Sequence, residues 1–200
     1  MLINELLENA GSIDNKMDVV ERFKGKIIEN IYRTGKFSYH LSEEESAMPC
    51  KEDVFYSAPG FLFIDTGRET DTVFLPFHQS DLFVKICDAS RSSIDNYLNT
   101  QCKPSNIIVY EKTTYGKEFL SDFIGKKIEK VAVVRKTNRK RKFEVYPDEK
   151  GILLRFEGEK EGLAIGIELF HGAGMFHVSC IPEKDIGESR SGTPEIVWLD

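Results

Sequence analysis

No apolar run in these 200 residues approaches the roughly 18 that a membrane-crossing helix needs. The opening "MLINELLENAGSID" lacks the basic region and apolar core of a signal peptide and reads as a short amphipathic helix. Cysteine is sparse. Cys50, Cys87, Cys102 and Cys180 form no CxxC pair and no dense framework, so the expectation is reduced, structural thiols in the cytoplasm. No GxSxG, HExxH, Walker or EF-hand pattern occurs. "GAG" at 172–174 precedes a strand-like run, not a helix, and so reads as a flexible turn and not a phosphate loop. The sequence therefore names no catalytic residue, metal ligand or cofactor.

The chain does have the means to bury a core, with 40% hydrophobic and 11% aromatic residues. Its net charge of −6 is unevenly placed. Residues 1–100 carry 10 Lys or Arg against 17 Asp or Glu, whereas residues 101–200 carry 17 against 16. The acidic first half would repel nucleic-acid phosphates.

Internal similarity organises the rest. "FHQSDLFVKIC" (77–87) resembles "FHGAGMFHVSC" (170–180) at an offset of 93. "FKGKIIENI" (23–31) matches "FIGKKIEKV" (123–131) at 100, and "GFLFIDTG" (60–67) matches "GILLRFEG" (151–158) at 91. Three blocks in one order imply a duplication with loop insertions and a pseudo-symmetric pair of units. The units are expected at 1–103 and 104–200.

Each unit reads as a short helix followed by a β-meander. "NKMDVVERFKG" and "GKEFLSDFIG" end near Gly25 and Gly125, residues suited to a helix C-terminus. Strands are expected at Lys26–Arg33 and Lys127–Lys136. In the first unit "GFLFIDT", "DTVFLPF" and "DLFVKIC" continue the meander. In the second, "KRKFEVYPDEKGILLRFEG" suggests two strands around an Asp148–Gly151 turn, and "GLAIGIELF" and "GMFHVSCI" supply two more. "SSIDNYLNT" looks helical with a Ser cap, and "NIIVYEK" looks like a connecting strand. The predicted class is α+β, predominantly antiparallel, built from two duplicated helix-plus-β-meander units. On this plan Phe77 and Phe170 close strands, His78 and His171 begin turns, and small Cys87 and Cys180 are buried.

Histidine and cysteine could still carry chemistry. His171, His177 and Cys180 lie close in sequence, and a metal-dependent or thiol hydrolase would use His171 or Cys180. The odd spacing of His177 and Cys180 puts them on opposite faces of a strand, against a local Cys-His pair. Glu157 and Glu159 read as solvated turn residues.

Two charged insertions stand out. "RKTNRKRK" (135–142) holds Arg135, Lys136, Arg139, Lys140, Arg141 and Lys142 around a Thr-Asn turn. It reads either as a solvated hairpin that protects a sheet edge or as a phosphate- or acid-binding patch. No aromatic residue is interleaved for base stacking. At the corresponding place the first unit has "YHLSEEESAMPCKEDVFYSAPG" (39–60), with Glu43, Glu44, Glu45, Glu52 and Asp53 beside Tyr39, Phe55 and Tyr56. This reads as a solvated loop or as an acidic docking surface with aromatic anchors.

The second unit, "IGKKIEKVAVV" followed by "GILLRFEGEKEGLAIGIEL", is similar to small β-rich modules of bacterial toxin-immunity proteins. These include proteins of contact-dependent inhibition and other polymorphic toxin systems. The resemblance implies a cytoplasmic, non-enzymatic protein without cofactor that neutralises one cognate, basic toxin by occluding it. It carries over no individual residue. The acidic insertion would then be the contact, imitating the polyanion that a nuclease toxin attracts. The alternatives are a nucleic-acid-associated protein using 135–142, or a self-assembling scaffold in which acidic and basic insertions of different copies meet. Oligomeric state is open, and neither a membrane nor nucleic acid is the expected partner.

Overall fold

The computed structural model describes residues 8–34, 57–58, 61–67, 70–76, 84–101, 107–109, 118–136, 148–170, 177–187 and 192–200. A 3-10 turn (Asp14–Lys16) leads into helix α1 (Met17–Glu21), followed by strands β1 (Asn30–Thr34), β2 (Ser57–Ala58) and β3 (Phe61–Asp65). Next come β4 (Thr70–Pro76), β5 (Val84–Ser90), helix α2 (Arg91–Gln101) and β6 (Ile107–Val109). The second half runs through α3 (Glu118–Ser121), β7 (Ile128–Lys136), β8 (Glu149–Phe156) and β9 (Gly162–Gly166). It ends with β10 (Val178–Pro182), a 3-10 turn (Glu183–Asp185) and β11 (Pro194–Trp198).

The strands form two antiparallel sheets, ordered β5-β4-β3-β1-β6 and β11-β7-β8-β9-β10-β2. The fold is α+β and mainly antiparallel, as the sequence predicts. Without β2, the second sheet repeats the strand order of the first. Membership crosses the 103/104 boundary twice. β6 completes the first sheet, and β2 leaves the first half to pair with β10.

Period-2 alternation places the core. Ile31, Leu62, Ile64, Phe74 and Ile86 of the first sheet share one buried cluster with Val131, Val133, Ile152, Leu154, Ile165 and Cys180 of the second. The sheets therefore pack face to face. The outer face of the first sheet (Tyr32, Phe63, Val73, Cys87) is covered by Ile94 and Tyr97 of α2. That helix is capped by Ser90, whose Oγ accepts the Ser93 N–H at 3.2 Å. The outer face of the second sheet (Ala132, Val134, Leu153, Ala164, Ile181) packs with Leu169, Phe170 and Ile186.

One end of the sandwich is closed by the helical turns after α1 and α3. Both end in left-handed glycine, Gly25 at φ 79° and Gly125 at φ 81°. The Gly25 N–H donates to Ile128 O and the Gly125 N–H to Ile28 O, both at 2.8 Å. Phe23 and Phe123 just before them enter the shared core. The 100-residue offset is thus reproduced as a reciprocal exchange of hydrogen bonds. The other offsets shift by one. Cross-strand register makes Leu62 the counterpart of Ile152, since Arg33 faces Leu62 and Val133 faces Ile152. Likewise Ile86, not Cys87, shares the inner layer with Cys180. A one-residue slip exchanges faces, so the two cysteines are both buried but in different layers. These are facts of topology; descent by duplication is an inference from the sequence pattern.

One expected turn is a strand. Asp148–Gly151 does not reverse the chain, because β8 runs from Glu149 and pairs Glu149 with Arg135 of β7. The charged residues suggested a turn, but Glu149 and Lys150 are both buried. Gly151 serves a close approach there, since a Cβ would come within 2.3 Å of Ile165 O. β2 and β11 were not legible as strands.

Alanine at Gly25 or Gly125 meets nothing within 4 Å, so only the left-handed backbone resists it. Each substitution is expected to cost about 1–2 kcal/mol in urea unfolding. Equal stability of both variants and the wild type would show that the turns carry no such strain.

Candidate functional site

The end opposite the glycine turns is where the charged insertions join. β1 ends at Thr34, which pairs with Phe61 at the start of β3 and Ile107 at the start of β6. β7 ends at Lys136, and β10 begins at Val178. Arg33 of the first sheet donates through Nη2 to Val178 O of the second at 2.5 Å, which sets these two strand ends side by side. Segments 35–56 and 137–147 are thus joined to strands ending at one face of the sandwich. Such an arrangement of connections on a rigid scaffold suits recognition.

Glu43, Glu44, Glu45, Glu52, Asp53, Tyr39, Phe55 and Tyr56 lie outside the described residues, as do Arg139, Lys140, Arg141, Lys142, His78 and His171. The described flanks of the two charged segments are Thr34, Ser57, Lys136 and Asp148. The two described members of the basic run are engaged internally. Arg135 bridges Asp14 (2.5 Å) and Asp148 (2.6 Å). Burial opposes its charge, and the two carboxylates more than offset that, raising its pKa. Lys136 is fully buried. Its Nζ donates to Glu168 O at 2.5 Å and Gly187 O at 2.8 Å, tying down the segments on either side of β10. Neither side chain belongs to a solvated cationic face.

Beneath this end lies a layer of buried charge that the sequence did not disclose. Arg33, Lys136 and Lys150 are all among the largest fully buried side chains, with Glu149 and Glu168 also buried. Burial lowers the Lys136 ammonium to about 8, against the pull of Glu168. Lys150 is lowered by the same cause, with Glu168, Asp148 and Glu149 opposing. Glu149 accepts the Asp14 N–H at 3.1 Å, while burial raises its carboxyl. Glu168 adopts φ 50°, the left-handed region that a non-glycine residue enters at a cost. Arg33 is pulled down to about 10 by burial. Ionic groups so placed cost several kcal/mol each before their partners compensate, as an order of magnitude.

The two described cysteines, Cys87 and Cys180, are poorly suited to nucleophilic chemistry. Burial pushes the Cys180 thiol up to about 12, the Arg33 charge opposing, and Cys87 up to about 12, with Asp88 adding to the effect. A thiol held that high supplies almost no thiolate near neutrality. His177 is lowered by burial and by Arg33, which favours its neutral form. Among the described residues no group of three or more His, Cys, Asp or Glu is placed to hold a metal ion.

Two further polar features lie elsewhere. On the outer face of the first sheet, Tyr32 donates to the fully buried Asp71, which also takes Arg91 Nη2 at 2.9 Å; Arg91 pairs with Asp65 as well. Burial raises the Asp71 carboxyl despite both donors, and this network fastens the start of α2 to β3 and β4. Toward the glycine-turn end, an open groove of about 490 Å³ is lined by Lys24, Glu129, Lys130, Arg155 and Trp198, together with Leu199 and Asp200. There Arg155 is forked on Glu183 (3.0 and 2.6 Å) and lies 4.6 Å from the Trp198 ring centre.

No protein-family model matches the chain, and comparison with curated proteins and with solved structures finds no significant match. No helix among the described residues is long and apolar enough to cross a membrane.

In a background with Cys50 and Cys102 changed to Ser, Cys87 and Cys180 are expected to resist a disulfide-exchange reagent at neutral pH until the protein unfolds. Rapid stoichiometric labelling of the native protein would revive a thiol-based activity. Lys136 generates a second expectation. Its ammonium is penalised in the folded chain while both folded and unfolded forms are protonated. Raising the pH from about 8 through lysine's ordinary 10.5 removes that penalty, so its contribution to the unfolding free energy rises over this window. The stability difference between wild type and Lys136→Met should therefore shift in favour of wild type across that interval in urea titrations. A pH-independent difference would show that Lys136 is not held below its ordinary value.

Proposed function

We propose that this protein is a non-catalytic binding protein of the toxin-immunity kind, acting in the cytoplasm by occluding a basic cognate toxin. The observation that carries the reading is the convergence of strand ends. β1, which precedes residues 35–56, and β7, which precedes residues 137–147, end on the same side of the sandwich, where Arg33 and Lys136 tie neighbouring segments. A rigid base bearing long connections is what a protein-recognition surface requires, since contacts can be added there without disturbing the core. The resemblance of "IGKKIEKVAVV" and "GILLRFEGEKEGLAIGIEL" to immunity modules supports the same choice.

Glu43, Glu44, Glu45, Glu52 and Asp53 would steer a basic partner, and Tyr39, Phe55 and Tyr56 would supply the affinity. The nucleic-acid alternative is weaker than the sequence made it, because Arg135 and Lys136 are spent on internal partners. It would rest on Arg139, Lys140, Arg141 and Lys142 alone.

The test is capture from the native host, comparing wild type with a variant carrying Glu43→Lys, Glu44→Lys and Glu45→Lys, at low and moderate ionic strength. One stoichiometric basic protein is expected with wild type, with slower and more salt-sensitive capture by the variant. Co-expression of wild type should protect cells from that partner's toxicity. Undiminished capture by the variant removes the acidic segment as the contact. Recovery of nucleic acid, or of the protein alone, overturns the immunity reading.

A further inference from the structure

Arg33 stands where the second sheet has a valine. In β1 it faces Leu62, and in β7 Val133 faces Ile152; Leu62, Val133 and Ile152 all belong to the layer between the sheets. The second sheet closes that position with an apolar side chain. The first places there a fully buried guanidinium, a group whose desolvation works against folding. Packing alone therefore gives no reason for arginine.

Its position relative to the acidic insertion does. Thr34, the next residue, is the last described before 35–56. The first described residues after that segment, Ser57 and Ala58, form β2. β2 is not in the sheet that β1 belongs to; it pairs Ala58 with Val178 and Ser57 with Ser179 on the opposite sheet. Val178 is the residue whose carbonyl takes the Arg33 Nη2 bond at 2.5 Å. One side chain thus lies next to the departure of the insertion and is bonded to the strand on which it lands. A pairing of two residues is too short to be stable unaided, and it needs β10 held in place.

We propose that Arg33 is a positioning residue: it holds the start of β10 so that β2 can pair there, and so fixes the point at which the chain returns from residues 35–56 to the second sheet. Its purpose rests on the binding reading above, but its geometry does not. The neighbours agree with such a role. His177 precedes β10 and feels the Arg33 charge, and Cys180 on the same strand lies close enough to feel it too. An apolar residue at 33 would fill the space without fixing the carbonyl.

Amide hydrogen exchange on the full chain tests this without any partner, so its outcome is separable from that of the capture experiment. In Arg33→Met, exchange at Ser57, Ala58, Val178 and Ser179 is expected to accelerate by about tenfold or more, as for local opening. The amides of Ile152–Leu154 should be unchanged and the urea midpoint not lowered. Arg33→Lys, which keeps a donor for Val178 O, should restore much of the protection at β2. Unchanged exchange at β2 in Arg33→Met would overturn the proposal. So would uniform acceleration of all amides, which would make Arg33 an ordinary member of the core. If Arg33→Met fails to fold, Arg33→Val, which carries the residue found at the matching place in β7 and removes the donor, is measured in its stead. Selective, partial loss at β2 supports the role, whereas wild-type exchange or uniform loss ends it.

Discussion

A single apolar layer is shared by two sheets, and neither sheet has another way to bury its inner face. Ile31, Leu62, Ile64, Phe74 and Ile86 on one side need Val131, Val133, Ile152, Leu154 and Ile165 on the other. At about 1.5–3 kcal/mol for each such side chain fully removed from water, this layer outweighs any polar contact in the molecule. The helical turns, α2 and the outer segments are arranged around it. The sequence similarity between the halves thus corresponds to two surfaces that each complete the other.

Against that background the two ends of the sandwich differ in kind. At the glycine-turn end, backbone bonds are exchanged symmetrically between Gly25 and Ile128 and between Gly125 and Ile28, and the side chains behind them are phenylalanines. At the other end the symmetry fails, because Arg33 replaces a valine and Lys136, Lys150, Glu149 and Glu168 are drawn inside. Within the layer between the sheets, this departure falls at the end where the charged connections join. Apolar packing serves stability at one end, and at the other some stability is given up for position.

Most of the scaffold was legible because strands covered on both faces announce themselves as short apolar runs. Leu62-Phe63-Ile64 and Leu153-Leu154 are examples, as are Gly25 and Gly125 at the ends of helical turns. What escaped did so for identifiable reasons. β2 has only two residues and owes its pairing to β10. β11 is an edge strand whose Val197 and Trp198 remain partly exposed, so its pattern lacks a buried stripe. Asp148–Gly151 carries charges that read as a turn, and only tertiary partners show why Glu149 and Lys150 are tolerated inside. The offset of 100 agrees with the hydrogen bonds exchanged at Gly25 and Gly125, whereas the offsets of 91 and 93 each differ by one from the strand register and layers. Sequence identity across a strand does not report which face a residue occupies. Arg33 and Lys136 looked like ordinary basic residues, since burial of a cation has no local signal.

The reciprocal bonds between the halves also bear on how the chain reaches this state. β7 with β8 and β3 with β4 join neighbours in sequence, but Gly25 finds Ile128 only by closing a loop of about 100 residues. Loop closure of that length is an entropic barrier that local hairpins do not face. During synthesis the first meander leaves the ribosome well before β7 exists. Until then Ile31, Leu62, Ile64, Phe74 and Ile86 have no surface to bury against, and until β6 is made the edge of β1 is open to other strands. The interval between the two halves is the period in which this protein is most exposed to misassociation.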